Sequence, residues 1–153
     1  MRVEVFETKL WLPQEPPALF PFFADATNLE KLTPPWLHFE ILTPTPIAMH
    51  PGQLIDYRLR IHGLPVRWRT LLSVWEPPHR FVDEQLRGPY RLWVHEHSFE
   101  AKDRGTLMRD RVRYAVPFHA LVHRWFVRPN IERIFQYRAH VLQSLFPGTQ
   151  ICA

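Results

Sequence analysis

Cysteine is almost missing from the 153-residue chain, which holds only Cys152. A disulfide scaffold and a cysteine-based zinc module are both excluded, and the composition suits a reducing cytoplasm. Glycine is scarce at 5 residues, and the 16 prolines are scattered as breakers with no G-X-Y period, which rules out collagen and a polyproline rod. No stretch approaches the roughly 18 apolar residues of a spanning helix. The opening MRVEVFETKLWLP alternates charged and apolar residues, where a secretory signal needs an unbroken apolar run. A soluble, cytoplasmic protein with no transmembrane segment is expected. A strong charge of one sign is also lacking: 19 basic residues against 15 acidic give +4, and the densest Arg runs alternate with apolar residues. That pattern argues for a solvated sheet face and against specific nucleic-acid binding. What is present, 46% hydrophobic and 22% charged residues, is the composition of one globular domain over 1–153, with an ordered core of about 2–146.

Period-two alternation marks a strand over 2–12, with Val3, Val5, Leu10 and Leu12 apolar, ended by Pro13, Pro16 and Pro17. Helical spacing follows through Leu19, Phe22, Phe23 and Ala26, then a second short helix capped by Thr27 or Asn28 and stopped by Thr33-Pro34-Pro35. Six short strands are predicted over 37–43, 53–62, 66–76, 80–87, 91–101 and 105–115, separated by Pro and Gly signals. Their short links imply an antiparallel meander, and the first strand would bring the sheet to seven. After Pro117 the period becomes helical. Leu121, Val122, Trp125 and Phe126 make one stripe, and Ile131, Ile134, Phe135, Leu142 and Leu145 another, with a kink or break expected at Pro129. Residues 147–153 are expected to fray.

Side chains alternate across a strand, so parity sorts them into faces. Arg58, Arg60, Arg67 and Arg69 oppose Tyr57, Leu59, Trp68 and Leu72, and Arg109, Arg111 and Arg113 oppose Met108, Asp110, Val112 and Tyr114. The Arg-bearing face is therefore outer, and the apolar face must be covered by the C-terminal helix. Asp110 then points inward, and the aromatic parity of 91–99 sends Trp93, His95, His97 and Phe99 inward as well. Residues 80–87 are ambiguous, because Phe81, Asp83 and Gln85 oppose Val82, Glu84 and Leu86. Buried unpaired polar groups are costly, so Asp83, Gln85, His95, His97 and Asp110 are expected to bond one another or face a cavity. Arg138 interrupts the stripe of the last helix. Either its stem packs while its head reaches water, or the head enters the cavity.

The segments LTPPWLHFEILTPTPIAMHPGQLIDYRLRIHGLPVRWRT, WEPPHRFVDEQLRGPYRLWVHEH and the closing IFQYR resemble the SRPBCC, START-like group, also labelled polyketide cyclase/dehydrase. The resemblance covers roughly 3–146. It implies an α+β helix-grip fold, in which a curved antiparallel sheet wraps a long C-terminal helix and leaves a deep hydrophobic cavity. It also implies binding of lipids, quinones, polyketides or similar molecules, with cyclisation or dehydration in a minority of members.

The expected function is binding of a mostly apolar small molecule such as a lipid, isoprenoid quinone or polyketide-like aromatic. Tyr57, Trp68, Trp93, Phe99, Met108, Tyr114, Phe126 and Phe135 would supply apolar contact, and Asp83, Gln85, His95, His97, Asp110 and Arg138 would orient polar atoms. Two other classes remain open. A cofactor-independent cyclase or dehydratase would use His95, His97 and Asp110 as acid and base. An interaction module would act through the outer Arg face. His95, His97 and Asp110 also match a two-histidine, one-carboxylate metal set, but without a further ligand at fixed spacing no metal and no cofactor are expected. The chain is expected to be a monomer or weak homodimer.

Overall fold

The computed structural model describes residues 1–152. The first strand, β1 (Glu4–Leu12), buries Phe6, Leu10 and Leu12. These share one parity, and Val3 and Val5 lie exposed on the other. Helix α1 (Pro16–Ala24) begins with two prolines, where the missing N–H costs nothing. It drives Leu19, Phe20 and Phe23 into the core. Helix α2 (Asn28–Leu32) ends at Thr33, and a 3-10 turn over Pro35–Leu37 follows.

The strand expected over 37–43 shrinks to β2 (Glu40–Ile41). His38 adopts a left-handed conformation (φ 48°) that interrupts an extended chain, and Pro44 and Pro46 close the segment. Then come β3 (Leu54–Ile61), β4 (Leu64–Glu76), β5 (Arg80–Arg87), β6 (Leu92–Lys102) and β7 (Gly105–Ala115). After short helix α3 (His119–Val122) and a π-helical turn over His123–Val127, helix α4 runs from Arg128 to Leu145. Pro129 sits in its first turn. The proline thus starts the long helix, and the break falls ahead of it.

The sheet is antiparallel with order β2-β3-β4-β5-β6-β7-β1-β8. Its eighth strand, β8 (Gln150–Cys152), pairs with Lys9–Trp11 of β1. The tail expected to fray is therefore held by an edge of β1 that would otherwise stay unpaired. With that addition to the expected seven strands, the helix-grip fold is what the chain adopts: α4 lies against the concave face with Ile131, Phe135, Ala139 and Leu142 buried. No helix is long and apolar enough to cross a membrane among the described residues.

Two local features set the faces. A bulge between Leu72 and Val74 shifts the register of β4, which reverses parity beyond it. Val74, which shares the parity of Trp68 and Leu72 in the sequence, joins Val82 and Glu84 on the outer face, and Trp75 turns inward to pack on Phe20 and Phe81. The β6–β7 hairpin turns through Asp103 and Arg104, both at positive φ. A Cβ on Gly105 would collide with the Leu12 carbonyl and the Trp11 ring. Glycine at this position thus lets β1 close against the hairpin, and Trp11 Nε1 donates to the Lys102 carbonyl at 2.9 Å. The resulting register sets His97 opposite Asp110 and Phe99 opposite Met108.

Candidate functional site

The parity left open in β5 is settled by the neighbours: Phe81 stands opposite His97 and Asp83 opposite His95, so Phe81, Asp83 and Gln85 face inward. Three adjacent strands therefore deliver a polar cluster to one spot of an otherwise apolar concavity. His95 and His97 are stacked, with ring centroids 3.6 Å apart. Phe81 continues the stack over His97 at 4.0 Å, and Phe135 of α4 meets His95 edge-on at 5.6 Å.

A carboxylate flanks the imidazole pair on each side. Asp83 Oδ2 lies 2.7 Å from His97 Nε2 and 4.0 Å from His95 Nδ1. On the far side, Asp110 Oδ1 lies 2.8 Å from His95 Nε2. It is also 3.2 Å from His97 Nδ1, but out of line for a hydrogen bond, so that nitrogen has no partner. Arg138 Nη2 approaches the same Asp110 oxygen at 3.6 Å. Of the two placements open for Arg138, the structure has the inward one, at 6% exposure.

Two carboxylates against one guanidinium leave one negative charge in a buried place, where an unneutralised charge is costly. The titration directions follow. Burial opposes ionisation of Asp110, yet the Arg138 charge, the hydrogen bond from His95 and the close approach of His97 hold its carboxyl well below the usual range. Asp83 is also lowered: burial pushes it up, but the His97 hydrogen bond and the charges of His95, His97 and Arg138 prevail. His95 is lowered by burial and by repulsion from His97, while burial of His97 is outweighed by Asp110 and Asp83, which raise it. Near the ordinary imidazole value of about 6.5 the pair therefore carries one positive charge, on His97, while His95 is a neutral imidazole, and the cluster is balanced.

In front of the cluster lies a cavity of about 170 Å³, walled by Leu59, Trp68, Trp93, Ile131 and Phe135 among other residues, with Asp83, His95, His97 and Arg138 as its polar side. A smaller hollow of about 60 Å³ adjoins it, sharing Tyr57, Thr70, Asp83, His97 and Arg138. Burial raises the Tyr57 and Tyr90 hydroxyls above their ordinary range, so both are neutral donors.

Of the residues expected to meet a ligand, Tyr57, Trp68, Asp83, Trp93, His95, His97, Phe135 and Arg138 line this cavity. Others are placed differently. Gln85 is engaged with the Tyr90 backbone through two hydrogen bonds of 2.7 and 3.1 Å. Phe99 and Met108 belong to the packed core with Phe20 and Phe23. Asp110 stands behind the imidazoles, off the cavity wall. Tyr114 is buried with its hydroxyl 2.7 Å from His123 Nε2. Phe126 is 56% exposed, edge-on to His62. Its stripe precedes Pro129, in a π-helical turn that buries none of its residues, so it is no part of the helix face that the sheet grips. The turn Leu32-Thr33-Pro34-Pro35-Trp36, whose Pro-Pro step reads as a rim loop, supplies Leu32 and Thr33 to the wall. Leu29, Leu37, Phe39, Thr70 and Asn130 are wall residues that the sequence pattern did not single out, because only tertiary packing brings α2 and the following turn over α4.

Residues 12–140 match the family model described as polyketide cyclase / dehydrase and lipid transport, and the chain belongs to that family. Solved structures share the fold. Zhui aromatase/cyclase from Streptomyces sp. R1128 superposes with TM-score 0.72 at 14% identity, covering 94% of this chain and 93% of its own. Protein CV1439 from Chromobacterium violaceum gives 0.71 at 14% identity, over 93% and 96%. Ginseng major latex-like protein 151 from Panax ginseng gives 0.68 at 8% identity, over 95% and 98%. No curated protein matches the chain.

Proposed function

We propose that the protein binds a mostly apolar small molecule in the 170 Å³ cavity, with one oxygen of the ligand turned to the Asp83–His95–Arg138 side. The observation that carries this reading is the segregation within one hollow: aromatic and aliphatic walls, with the titratable groups gathered on a single side. Size narrows the chemistry. A dry apolar cavity of roughly 150 Å³ holds a benzene-sized molecule, so the hollow suits one aromatic ring or the head of a longer molecule. A quinone or polyketide-like ring would be held inside, with the remainder leaving between α2 and α4. Membership of a family described by cyclase/dehydrase and lipid-transport activities supports the same class of ligand.

Leu59→Trp tests it, because Leu59 is 7% exposed and lines the hollow. Titration of wild type with 1-naphthol, read by quenching of Trp68 and Trp93, should saturate, and the variant should bind at least tenfold more weakly while its melting cooperativity persists. Equal affinity in wild type and a folded Leu59→Trp variant would overturn the proposal. Catalysis is the second reading, favoured by the proton held at 2.7 Å between His97 and Asp83 at the wall. It requires His95→Ala to lose turnover by orders of magnitude while still binding ligand.

A further inference from the structure

The same cluster has a feature that apolar ligand binding does not use. A carboxylate only accepts hydrogen bonds, so the 2.8 Å contact with Asp110 fixes the His95 proton on Nε2 and leaves Nδ1 with a bare lone pair. That lone pair faces Asp83 Oδ2 across 4.0 Å. Two acceptors cannot bond each other directly, and a cation set between them would be held by both. His97 Nε2, on the same oxygen at 2.7 Å, completes a triangle, and one donor atom from each of the three residues falls within 4.8 Å of the others. Behind the triangle, Asp110 touches both rings, the position from which an outer carboxylate fixes the tautomer and orientation of metal-bound imidazoles.

We propose that Asp83, His95 and His97 form a two-histidine, one-carboxylate site for a divalent transition metal, with Asp110 as the positioning residue and the open coordination positions turned toward the cavity. The carboxylate expected from the sequence is thereby exchanged, since Asp83 ligates and Asp110 orients, and the expectation of no metal is reversed. Imidazole with carboxylate suits Zn²⁺, Fe²⁺ or Co²⁺, whereas Ca²⁺ and Mg²⁺ prefer all-oxygen shells. On binding, the proton shared by His97 Nε2 and Asp83 leaves to solvent and the metal takes its place. Loss of that proton leaves two carboxylates against the Arg138 guanidinium, and the resulting negative charge is met by the divalent ion. A second group of donors, Glu4, His119 and His123, is only half-buried and lies beside Arg2, which already pairs with Glu4 at 2.8 Å. It is the weaker competitor.

The inference shares the cavity but does not rest on the apolar-ligand reading. Chelator-stripped full-length protein is titrated with Co²⁺ and followed by ligand-field absorption, then with Zn²⁺ by calorimetry. One equivalent should bind with micromolar or tighter affinity. Asp83→Asn should weaken it at least 100-fold, and Asp110→Asn about 10–100-fold, as expected for loss of an outer-sphere partner. His119→Gln/His123→Gln should bind as wild type does. Absence of saturable binding to folded wild-type protein overturns the proposal, with no variant needed. So does binding that survives in Asp83→Asn or is lost in the His119/His123 variant. 1-Naphthol titration of the stripped protein is a separate arm, so failure of ligand binding and failure of metal binding are told apart.

Discussion

The two faces of strands β5–β7 carry charges under opposite physical conditions. Outside, Arg80 spans Glu76 and Glu96 at 3.3 and 2.9 Å, and Arg109 reaches Glu7 at 3.4 Å. All of these side chains are about a third or more exposed, so water and salt screen every pair. Inside, Asp110 is 1% exposed, His97 5% and His95 7%, and each partner lost leaves a charge stranded. Charged residues on the outer face keep the sheet in solution at little cost. Those on the inner face persist against a desolvation cost that an apolar core would avoid, and a site is the natural reason to keep them.

Four perturbations probe that contrast. Asp110→Asn should have the largest effect, about 3–5 kcal/mol of lost stability in urea unfolding, because it breaks a buried pair and strands the Arg138 guanidinium. Less than 1 kcal/mol would mean that the cluster is hydrated and the inner face resembles the outer. Gly105→Ala should cost about 1–3 kcal/mol by overpacking, since the new methyl meets Trp11 and Leu12. A neutral result would show that the β6–β7 register is not pinned there.

A pH dependence comes third, in protein kept free of metal by chelator. Unfolded imidazoles titrate near 6.5. His97 is raised, so its contribution is complete below about pH 6.5 and lost as pH climbs through the folded value. His95 is lowered, so its contribution is present above about pH 6.5 and lost as pH falls through its folded value. Together the folded pair holds one proton where the unfolded chain passes from two to none. Stability should therefore peak near pH 6.5, with flanks no steeper than about 1.4 kcal/mol per pH unit. His97→Gln should remove the alkaline flank, and a monotonic profile in wild type would contradict the one-proton pair. Arg80→Ala should be smallest, below about 1 kcal/mol and shrinking with salt. A larger effect would mean the outer pairs act as a network.

Much of this arrangement was legible in the sequence, and the reasons it was partial are local. His95 and His97 were assignable because Trp93 and Phe99 share their parity, and Asp110 because three arginines mark the opposite face. In β5 both parities mix apolar and polar residues, so the direction of Asp83 emerges only from its pairing with β6. The bulge before Val74 and the capture of Gln150–Cys152 by β1 depend on partners distant in the chain. Apolar periodicity placed Phe126 with the gripped helix, but periodicity records which residues share a side and not whether that side meets the sheet. Arg138 could not be oriented until Asp110 was seen beneath it.

The most direct test follows the imidazole ¹⁵N resonances of metal-free protein during titration with 1-naphthol. Saturable shifts confined to His95 and His97, with the remaining histidines still and the response abolished in Leu59→Trp, are the expected result. Resonances of His95 and His97 that stay fixed while naphthol binds elsewhere, or that titrate together near pH 6.5 like solvent-exposed rings, would contradict a ligand cavity built around a buried one-proton pair.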